Sequence, residues 1–217
     1  MRFLCAKRFS TANMSKNFTL SIVIPAYNEE KTIHFILNKI KEVKQINDIG
    51  LKIIIVKDCS SDNKDQSVND YILQNPYFTI QYYSQTVNKG KGAPLHTGIL
   101  KATGDFLIIY NADLEYNSQE CNIFIKPVCD GFADVVYGSR FMGGNPHRIL
   151  FFWLTKGNKF LTFLSNLFIN LNFTDMETCY KLFRIGVIRT LILKEKRFGF
   201  EPEVCAKIAI IPKTSIY

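Results

Sequence analysis

An acidic segment directly after a short apolar run is the first part of the sequence that could carry chemistry. The run FLIIY ends at Tyr110, and Asn111, Asp113 and Glu115 follow it at alternate positions. Side chains two residues apart in an extended segment point to the same side, and Mg²⁺ or Mn²⁺ prefers oxygen ligands beside substrate phosphates. The spacing therefore favours a divalent-cation site, although an aspartate after a strand is more often a turn former.

Five apolar, β-rich runs are predicted as strands, and they alternate with helical patterns. The strands are predicted over residues 19–26, 52–56, 78–84, 106–110 and 135–137. Helices are predicted around residues 33–43, near 64–74 and over 93–102. Near-continuous apolar strands separated by helices indicate a parallel sheet that is covered on both faces. We therefore predict an α/β fold with a mostly parallel central sheet and helices on both faces.

The segments that follow the strands form the candidate site, because ligands bind such sheets at the carboxyl ends of the strands. These segments are PAYNEE, KDCSSD, NKGKG and NADLEY, and they begin at residues 25, 57, 88 and 111. Each of them contains side chains that can bind a polar ligand.

The composition limits the class of protein. The 217 residues are 47% hydrophobic and 21% charged, which excludes an intrinsically disordered chain. The formal net charge is +8, which suits a nucleotide diphosphate or an anionic lipid surface. Residues 1–17 supply +4 of this charge, and the remaining +4 is too mild to indicate nucleic acid, which we do not expect as a partner. The six cysteines form no C-x-x-C pair, which favours a reducing, cytoplasmic compartment.

Two segments stand apart in composition. Residues 1–17 are basic and carry no acid, and we interpret them as a disordered N-terminal extension, with a transit peptide or a start at Met14 as alternatives. Residues 18–217 form the predicted domain. Residues 149–171 are rich in Phe and Leu, but Lys156 and Lys159 interrupt them, which disfavours a membrane span. They suit a helix that lies in the lipid headgroup region, and a core helix is the alternative.

Seven segments in order resemble the family-2 glycosyltransferases with the GT-A fold, and the nearest similarity is to polyprenyl- and dolichyl-phosphate mannosyl- and glucosyltransferases. The segments are SIVIPAYNEEKTI, IIIVKDCSSD, NKGKGAPLHTGILKATGD, NADLEY, VVYGSRF, SNLFINLNFTDMETCYKLFR and RFGFEPEV. The resemblance implies transfer of a hexose from a nucleotide diphosphate sugar, GDP-mannose or UDP-glucose, to a polyprenyl or dolichyl phosphate. It also implies inversion at the sugar carbon.

The resemblance further implies roles for particular residues. Those that would bind the nucleotide sugar are Pro25, Ala26, Tyr27, Glu29, Val56, Asp58, Lys91, Asn111, Ala112 and Asp113. Asp113 and Glu115 would bind Mg²⁺ or Mn²⁺, and Arg140 and Arg148 would face the acceptor phosphate. Asp113 and Asp175 are the candidate catalytic residues. Asp175 would steer the acceptor or the sugar, and capping of a following helix is its alternative role.

The implied reaction needs no strong general base, because a lipid phosphate is already anionic near pH 7. The site must supply proximity and charge neutralisation, with the metal as a Lewis acid for the departing nucleoside diphosphate and the arginines on the acceptor phosphate. We expect a protein that associates peripherally with the cytosolic face of a membrane. A membrane-anchored partner subunit is a further partner that fits this expectation.

Three positions depart from the family pattern. Lys57 replaces one of two paired acids, Cys59 replaces a glycine and Asn111 replaces the first acid of a D-x-D pair. Cysteine tolerates positive φ poorly, and asparagine binds a metal ion more weakly than aspartate. Relatives also continue beyond the position of Tyr217, so we expect a truncated reading frame or a divergent copy. The alternative functions are therefore a catalytically impaired nucleotide-sugar-binding paralogue and a glycosyltransferase with a soluble glycan acceptor.

Overall fold

A computed structural model describes residues 18–27, 32–42, 49–59, 64–111, 121–141 and 151–217 of the chain. The strands in these ranges are β1 (Thr19–Ala26), β2 (Gly50–Asp58), β3 (Ile80–Gln85), β4 (Phe106–Ile109), β5 (Val135–Tyr137) and β6 (Lys181–Arg184). The helices are α1 (Ile33–Lys41), α2 (Lys64–Gln74), α3 (Gly92–Lys101), α4 (Cys121–Cys129), α5 (Phe152–Ile169), α6 (Ile185–Ile188) and α7 (Phe200–Ala209).

The strands form one sheet in the order β3-β2-β1-β4-β6-β5. β1 pairs in parallel with β2 and β4, and β2 pairs in parallel with β3. β6 runs antiparallel between β4 and β5, so that its first residue, Lys181, lies opposite both Ile109 and Tyr137. The predicted α/β fold with a mostly parallel sheet is confirmed. The antiparallel strand β6 was not predicted.

Alternate residues of the central strands pack into two separate cores. Ile22 and Ile24 of β1 belong to the core that α1, α2 and α4 cover, whereas Val23 belongs to the core that α3, α6 and α7 cover. Successive side chains of a strand point to opposite faces of a sheet, and β-branched residues fit both faces. The predicted coverage of both faces by helices is therefore confirmed.

The predicted element boundaries agree closely with the structure. Those of β1, α2 and β5 are confirmed, and β2 is longer than predicted at both ends. β3 begins at Ile80 rather than at residue 78. The reason is a turn, in which the backbone N–H of Phe78 donates to the carbonyl oxygen of Asn75 at 3.0 Å. The predicted extension over residues 1–17 lies outside the described residues.

α5 turns its large apolar side chains outward and buries two polar residues. Asn158 and Thr162 are its buried residues. The large exposed side chains at its start and along its length are Phe151, Phe152, Trp153, Leu154, Phe160, Leu161, Phe163, Leu167 and Phe168. The interpretation of this segment as a core helix is therefore wrong. In the part of the chain that the structure describes, none of the helices is both long and apolar enough to cross a membrane.

Candidate active site

The carboxyl ends of β1, β2 and β4 meet at one edge of the sheet, which we call the carboxyl edge. Tyr27 directly follows β1 and is 53% exposed. Asp58 ends β2 and is buried, and the half-buried Asn111 lies just beyond β4. Because β1 lies between β2 and β4, these three predicted site residues leave the sheet at neighbouring positions.

Three further predicted residues lie at the ends of the same strands. Pro25 and Val56 are partners across β1 and β2, and Ala26 pairs with Lys57. Ala26, Val56 and Lys57 are buried. These residues therefore form the buried base of the carboxyl edge. That they contact a nucleotide stays a prediction.

Asp58 ties the end of β2 to the NKGKG segment. Its Oδ1 accepts a hydrogen bond from the backbone N–H of Lys89 at 3.3 Å. The next residue, Cys59, has a φ of 37°, which lies in the left-handed region that glycine adopts without strain. Cys59 is thus a strained residue beside the candidate site.

The glycines of the NKGKG segment allow a second loop to approach closely. A Cβ atom at Gly92 would lie 2.9 Å from the carbonyl carbon of Lys196. The oxygen of that carbonyl accepts hydrogen bonds from the N–H groups of Gly92 at 2.8 Å and Ala93 at 3.2 Å. These N–H groups lie at the start of α3, where a helix leaves them without internal partners. We call residues 194–199, which the segment holds in this way, the anchored loop.

The anchored loop has two further attachments. The backbone N–H groups of Lys194 and Glu195 donate to the carboxylate of Glu203 at 2.8 to 3.0 Å. The Nε2 atom of His96 lies 2.8 Å from the carbonyl oxygen of Glu195. The loop is therefore fixed by both α3 and α7.

A cleft lies between the starts of α3 and α7, and we call it the α3–α7 cleft. Lys91, Glu177, Arg197 and Glu201 are its charged lining residues. The Lys91 ammonium group donates to the Sγ atom of Cys179 at 3.0 Å, which holds this predicted site residue against the loop before β6. Sequence reasoning gave the other three charged residues no role.

A buried ion pair forms one wall of this cleft. The Lys181 ammonium group contacts a carboxylate oxygen of Glu201 and the carbonyl oxygen of Thr178. Lys181 is 0% and Glu201 is 6% exposed, and burial lowers the pKa of Lys181. The sequence did not reveal this pair, because no spacing pattern relates Lys181 to Glu201, which lies 20 residues further along the chain.

Arg140 and Asp175 are both predicted site residues, and the structure brings them together. The guanidinium donates from Nε to Oδ2 at 2.7 Å and from Nη2 to Oδ1 at 2.9 Å. The backbone N–H of Arg140 also donates to Oδ2 at 3.1 Å. Asp175 therefore pairs with Arg140 rather than capping a helix.

Asn158 connects this ion pair to α5. Its Nδ2 donates to Asp175 Oδ1 at 2.8 Å. Burial by itself raises the pKa of the Asp175 carboxyl group, but the hydrogen bonds from Arg140 and Asn158 outweigh burial and hold that pKa below its ordinary value. Asp175 is thus ionised and only 2% exposed. It orients the more exposed guanidinium group of Arg140.

The remaining predicted site residues, Glu29, Ala112, Asp113, Glu115 and Arg148, lie outside the described residues, so their roles stay predictions. Within the described ranges, no group of three or more His, Cys, Asp or Glu side chains could hold a metal ion.

Comparisons with known proteins agree with this architecture. The sequence model of the family described as glycosyl transferase family 2 matches residues 21–192. The chain is 29% identical over 209 residues to a UDP-N-acetylglucosamine–dolichyl-phosphate N-acetylglucosaminyltransferase of Methanococcus voltae, with 88% of this chain and 79% of the relative covered. It is 28% identical over 201 residues to a dolichyl-phosphate beta-glucosyltransferase of Trichomonas vaginalis, with 85% of this chain and 59% of the relative covered.

A solved structure shares the fold. Glucosyl-3-phosphoglycerate synthase from Mycobacterium tuberculosis, in complex with Mn²⁺, UDP and phosphoglyceric acid, is similar with a TM-score of 0.69. The sequence identity is 16%, and 92% of this chain and 67% of that chain are covered. The sheet and its two helical layers are thus those of the GT-A glycosyltransferases. The family match spans most of the chain, and the chain belongs to glycosyl transferase family 2. It is a glycosyltransferase.

Proposed function

We propose that this glycosyltransferase transfers a hexose from a nucleotide diphosphate sugar to the phosphate of a polyprenyl or dolichyl lipid at a membrane surface. The observation that carries the proposal is the connection from α5 through Asn158 and Asp175 to Arg140. Arg140, which can bind phosphate, is thus linked through the buried carboxylate of Asp175 to α5, and the exposed side of α5 is suited to lipid. The two relatives named above are, by their names, transferases that use dolichyl phosphate.

α5 is the segment that would lie on the membrane. It has 18 residues, which corresponds to a length of roughly 27 Å. Its exposed aromatic and leucine side chains are accompanied by Lys156 and Lys159 and by no acid. Helices with this composition lie in the headgroup region, and anionic lipids attract the lysines. The expected occupant of this surface is therefore a bilayer that contains anionic lipids.

The acceptor chemistry suits Arg140. A lipid phosphate is its own nucleophile, so the protein must hold it in place and reduce its repulsion from the donor diphosphate. The guanidinium side chain is 26% exposed, and its plane is fixed by Asp175. Arginine can hold a phosphate through two parallel hydrogen bonds. Direct attack by the phosphate oxygen on the sugar carbon would invert that carbon in a single displacement.

The donor is expected to lie across the carboxyl edge. The nucleoside would lie between Tyr27, which follows β1, and Asp58, which ends β2. Lys91 lies at the start of α3. We favour a UDP-sugar over GDP-mannose, because the relative from Methanococcus voltae is named for UDP-N-acetylglucosamine and the similar solved structure contains UDP.

Asp113 and Glu115 are the residues that would hold Mg²⁺ or Mn²⁺. Asn111 supports this assignment, since it carries the chain out of β4 at the same edge as Asp58 and precedes Asp113 by two residues. When bound, the ion would act as a Lewis acid for the departing nucleoside diphosphate. The similar solved structure contains Mn²⁺.

The test is transfer of labelled sugar from a UDP-sugar to dolichyl phosphate in vesicles, with Mn²⁺ or Mg²⁺, by the wild type and by Asp113→Ala. We expect lipid-linked product from the wild type and a loss of at least a hundredfold in the variant, which corresponds to about 2.7 kcal/mol or more of transition-state stabilisation. Nucleotide-sugar binding without turnover for any donor would reject catalysis and favour the impaired paralogue.

A further inference from the structure

The anchored loop occupies backbone groups that a glycine-rich segment at a helix start would otherwise offer to a phosphate. The N–H groups of Gly92 and Ala93, at the start of α3, both donate to the carbonyl oxygen of Lys196. These two N–H groups are therefore not available to a phosphate. Side chains are the remaining source of positive charge at this position.

Arg197 supplies such a charge, and it lies directly against the NKGKG segment. A Cβ atom at Gly90 would lie 2.7 Å from the Cγ atom of Arg197, so the stem of the arginine packs on the backbone of the segment. Among the residues that the structure describes, the guanidinium of Arg197 has no hydrogen-bond or ion-pair partner. Lys91 borders the α3–α7 cleft together with Arg197. Its ammonium group has three N–H donors, and it uses one of them on Cys179.

The carboxylates around Arg197 leave an excess of positive charge. Glu201 is already paired with a lysine of β6. The side chain of Glu195 is folded back along the loop, because a Cβ atom at Gly199 would lie 3.0 Å from its Oε2 atom. Glu177 is the remaining carboxylate of the cleft lining, against the two cations Lys91 and Arg197. An anionic group is therefore the expected ligand of these cations.

The NKGKG segment connects Arg197 to the position proposed for the nucleoside. The backbone N–H of Lys89 donates to Asp58 Oδ1 at 3.3 Å, and the next residue, Gly90, carries the stem of Arg197. The diphosphate of a nucleotide adjoins its nucleoside, so a nucleoside beside Asp58 would bring the diphosphate towards the cations of this segment. Arginine can hold phosphate oxygens through two parallel hydrogen bonds.

We infer that Arg197 and Lys91 bind the diphosphate of the nucleotide sugar, and that the attachment of the anchored loop to the NKGKG segment holds Arg197 in position. This inference rests on the proposed function and makes it more specific, because it assigns the diphosphate to two side chains from different elements. The two cations would stabilise the negative charge that the departing diphosphate gains when the glycosyl bond breaks.

The test measures nucleotide affinity in surface variants of the full chain. Binding of UDP and of GDP is measured by calorimetry with Mn²⁺, and the nucleotide that the wild type binds more tightly is used for the variants. We expect Arg197→Gln to weaken its binding about tenfold, as expected for loss of a hydrogen bond between charged groups. Arg197→Lys should lose less, because it keeps the charge. The matched control, Lys101→Gln, removes one charge from the other end of α3 and should change binding by less than about twofold.

A second variant tests the role of the anchored loop without removing a charge. In Gly92→Ala the new Cβ atom would lie 2.9 Å from the carbonyl carbon of Lys196, so the loop must move away from α3. We expect weaker nucleotide binding, and little further loss when Arg197→Gln is added, because both changes act on the same contact. Additive losses would show that the loop does not position Arg197. If circular dichroism shows that Gly92→Ala does not fold, the exposed Arg197 still allows the first comparison.

The possible failures can be told apart. The KM for dolichyl phosphate in vesicles separates the two phosphates of the reaction: a raised KM with unchanged nucleotide affinity in Arg197→Gln would assign this arginine to the acceptor and overturn the inference. A loss of nucleotide affinity no larger than that of Lys101→Gln would overturn it as well, and both results leave the transferase proposal intact. No binding of UDP, GDP or any nucleotide sugar by the wild type would overturn the proposed function itself.

Discussion

Arg140 and Asp175 form a two-point ion pair in which the carboxylate is buried and the guanidinium reaches the surface. The two hydrogen bonds measure 2.7 and 2.9 Å, and the side chains of Arg140 and Asp175 are 26% and 0% exposed. A charge pair at a surface contributes little to stability, but here the buried partner is held by Asn158 as well. Asp175 is thus a positioning residue for a cation that faces outward.

Changing Arg140 should affect the acceptor more than the donor. In Arg140→Lys the two-point hydrogen bonding is lost, although the charge remains. We expect the KM for dolichyl phosphate to rise about tenfold, which corresponds to roughly 1.4 kcal/mol, while the KM for the nucleotide sugar stays constant. Steady-state kinetics in vesicles measure both values. An unchanged acceptor KM would mean that Arg140 does not hold the phosphate.

Acidification should remove a part of the stability that depends on Asp175. Its pKa is lowered in the folded state, so its contribution is fully present above the unfolded-state value of about 3.9 and is lost as the pH falls through the lower folded-state value. The difference in melting temperature between the wild type and Asp175→Asn should therefore shrink from pH 6 to pH 3. Glu203, whose pKa is also lowered, is present in both proteins and cancels in this difference. A constant difference would show that Asp175 is not selectively stabilised as the anion.

Polar substitutions on α5 should weaken membrane binding. Phe152 and Trp153 are 63% and 81% exposed, and each ring contributes roughly 1.5 kcal/mol when it leaves water. We expect Phe152→Ser with Trp153→Ser to lower binding to anionic vesicles roughly a hundredfold without lowering the melting temperature. Co-sedimentation measures the binding. The matched control is Tyr77→Ser with Phe132→Ser, which removes two exposed rings from turns outside α5 and should leave binding unchanged.

Placing glycine at position 59 should stabilise the protein. A left-handed backbone costs a side-chain-bearing residue about 1–2 kcal/mol, while glycine loses roughly 0.5–1 kcal/mol more entropy on folding. We expect Cys59→Gly to gain about 0.5–1 kcal/mol, or a rise of about 1–4 °C in melting temperature. Cys59→Ala keeps the Cβ atom and should give no gain. Equal melting temperatures for the two variants would mean that the strain at this position is negligible.

The sequence allowed most of the sheet to be predicted, because long β-branched runs such as those of β1 and β2 can only be buried between two layers. β6 was missed because its two apolar residues stand between Lys181 and Arg184, a pattern that does not differ from a loop. α4 was missed as well, and it carries Pro127 inside the helix, which disfavours a helix in sequence reasoning.

The candidate site was predictable where residues follow strands and unpredictable where partners are distant. Asp58 and Asn111 could be placed because the carboxyl ends of parallel strands share an edge. The ion pair of Lys181 and Glu201 joins β6 to α7. The sequence around either residue does not indicate which residue it pairs with. Sequence reasoning likewise left two alternatives for α5, a core helix and an interfacial helix, because periodicity alone does not distinguish them.

The phosphate on the acceptor lipid provides the most direct test of the account. Vesicles that contain dolichyl phosphate are compared with otherwise identical vesicles that contain dolichol, with the same labelled UDP-sugar and Mn²⁺. We expect labelled lipid only with dolichyl phosphate, because the lipid phosphate is the nucleophile that Arg140 holds. Equal labelling of dolichol, or labelling of a soluble glycan with no lipid product, would contradict the account.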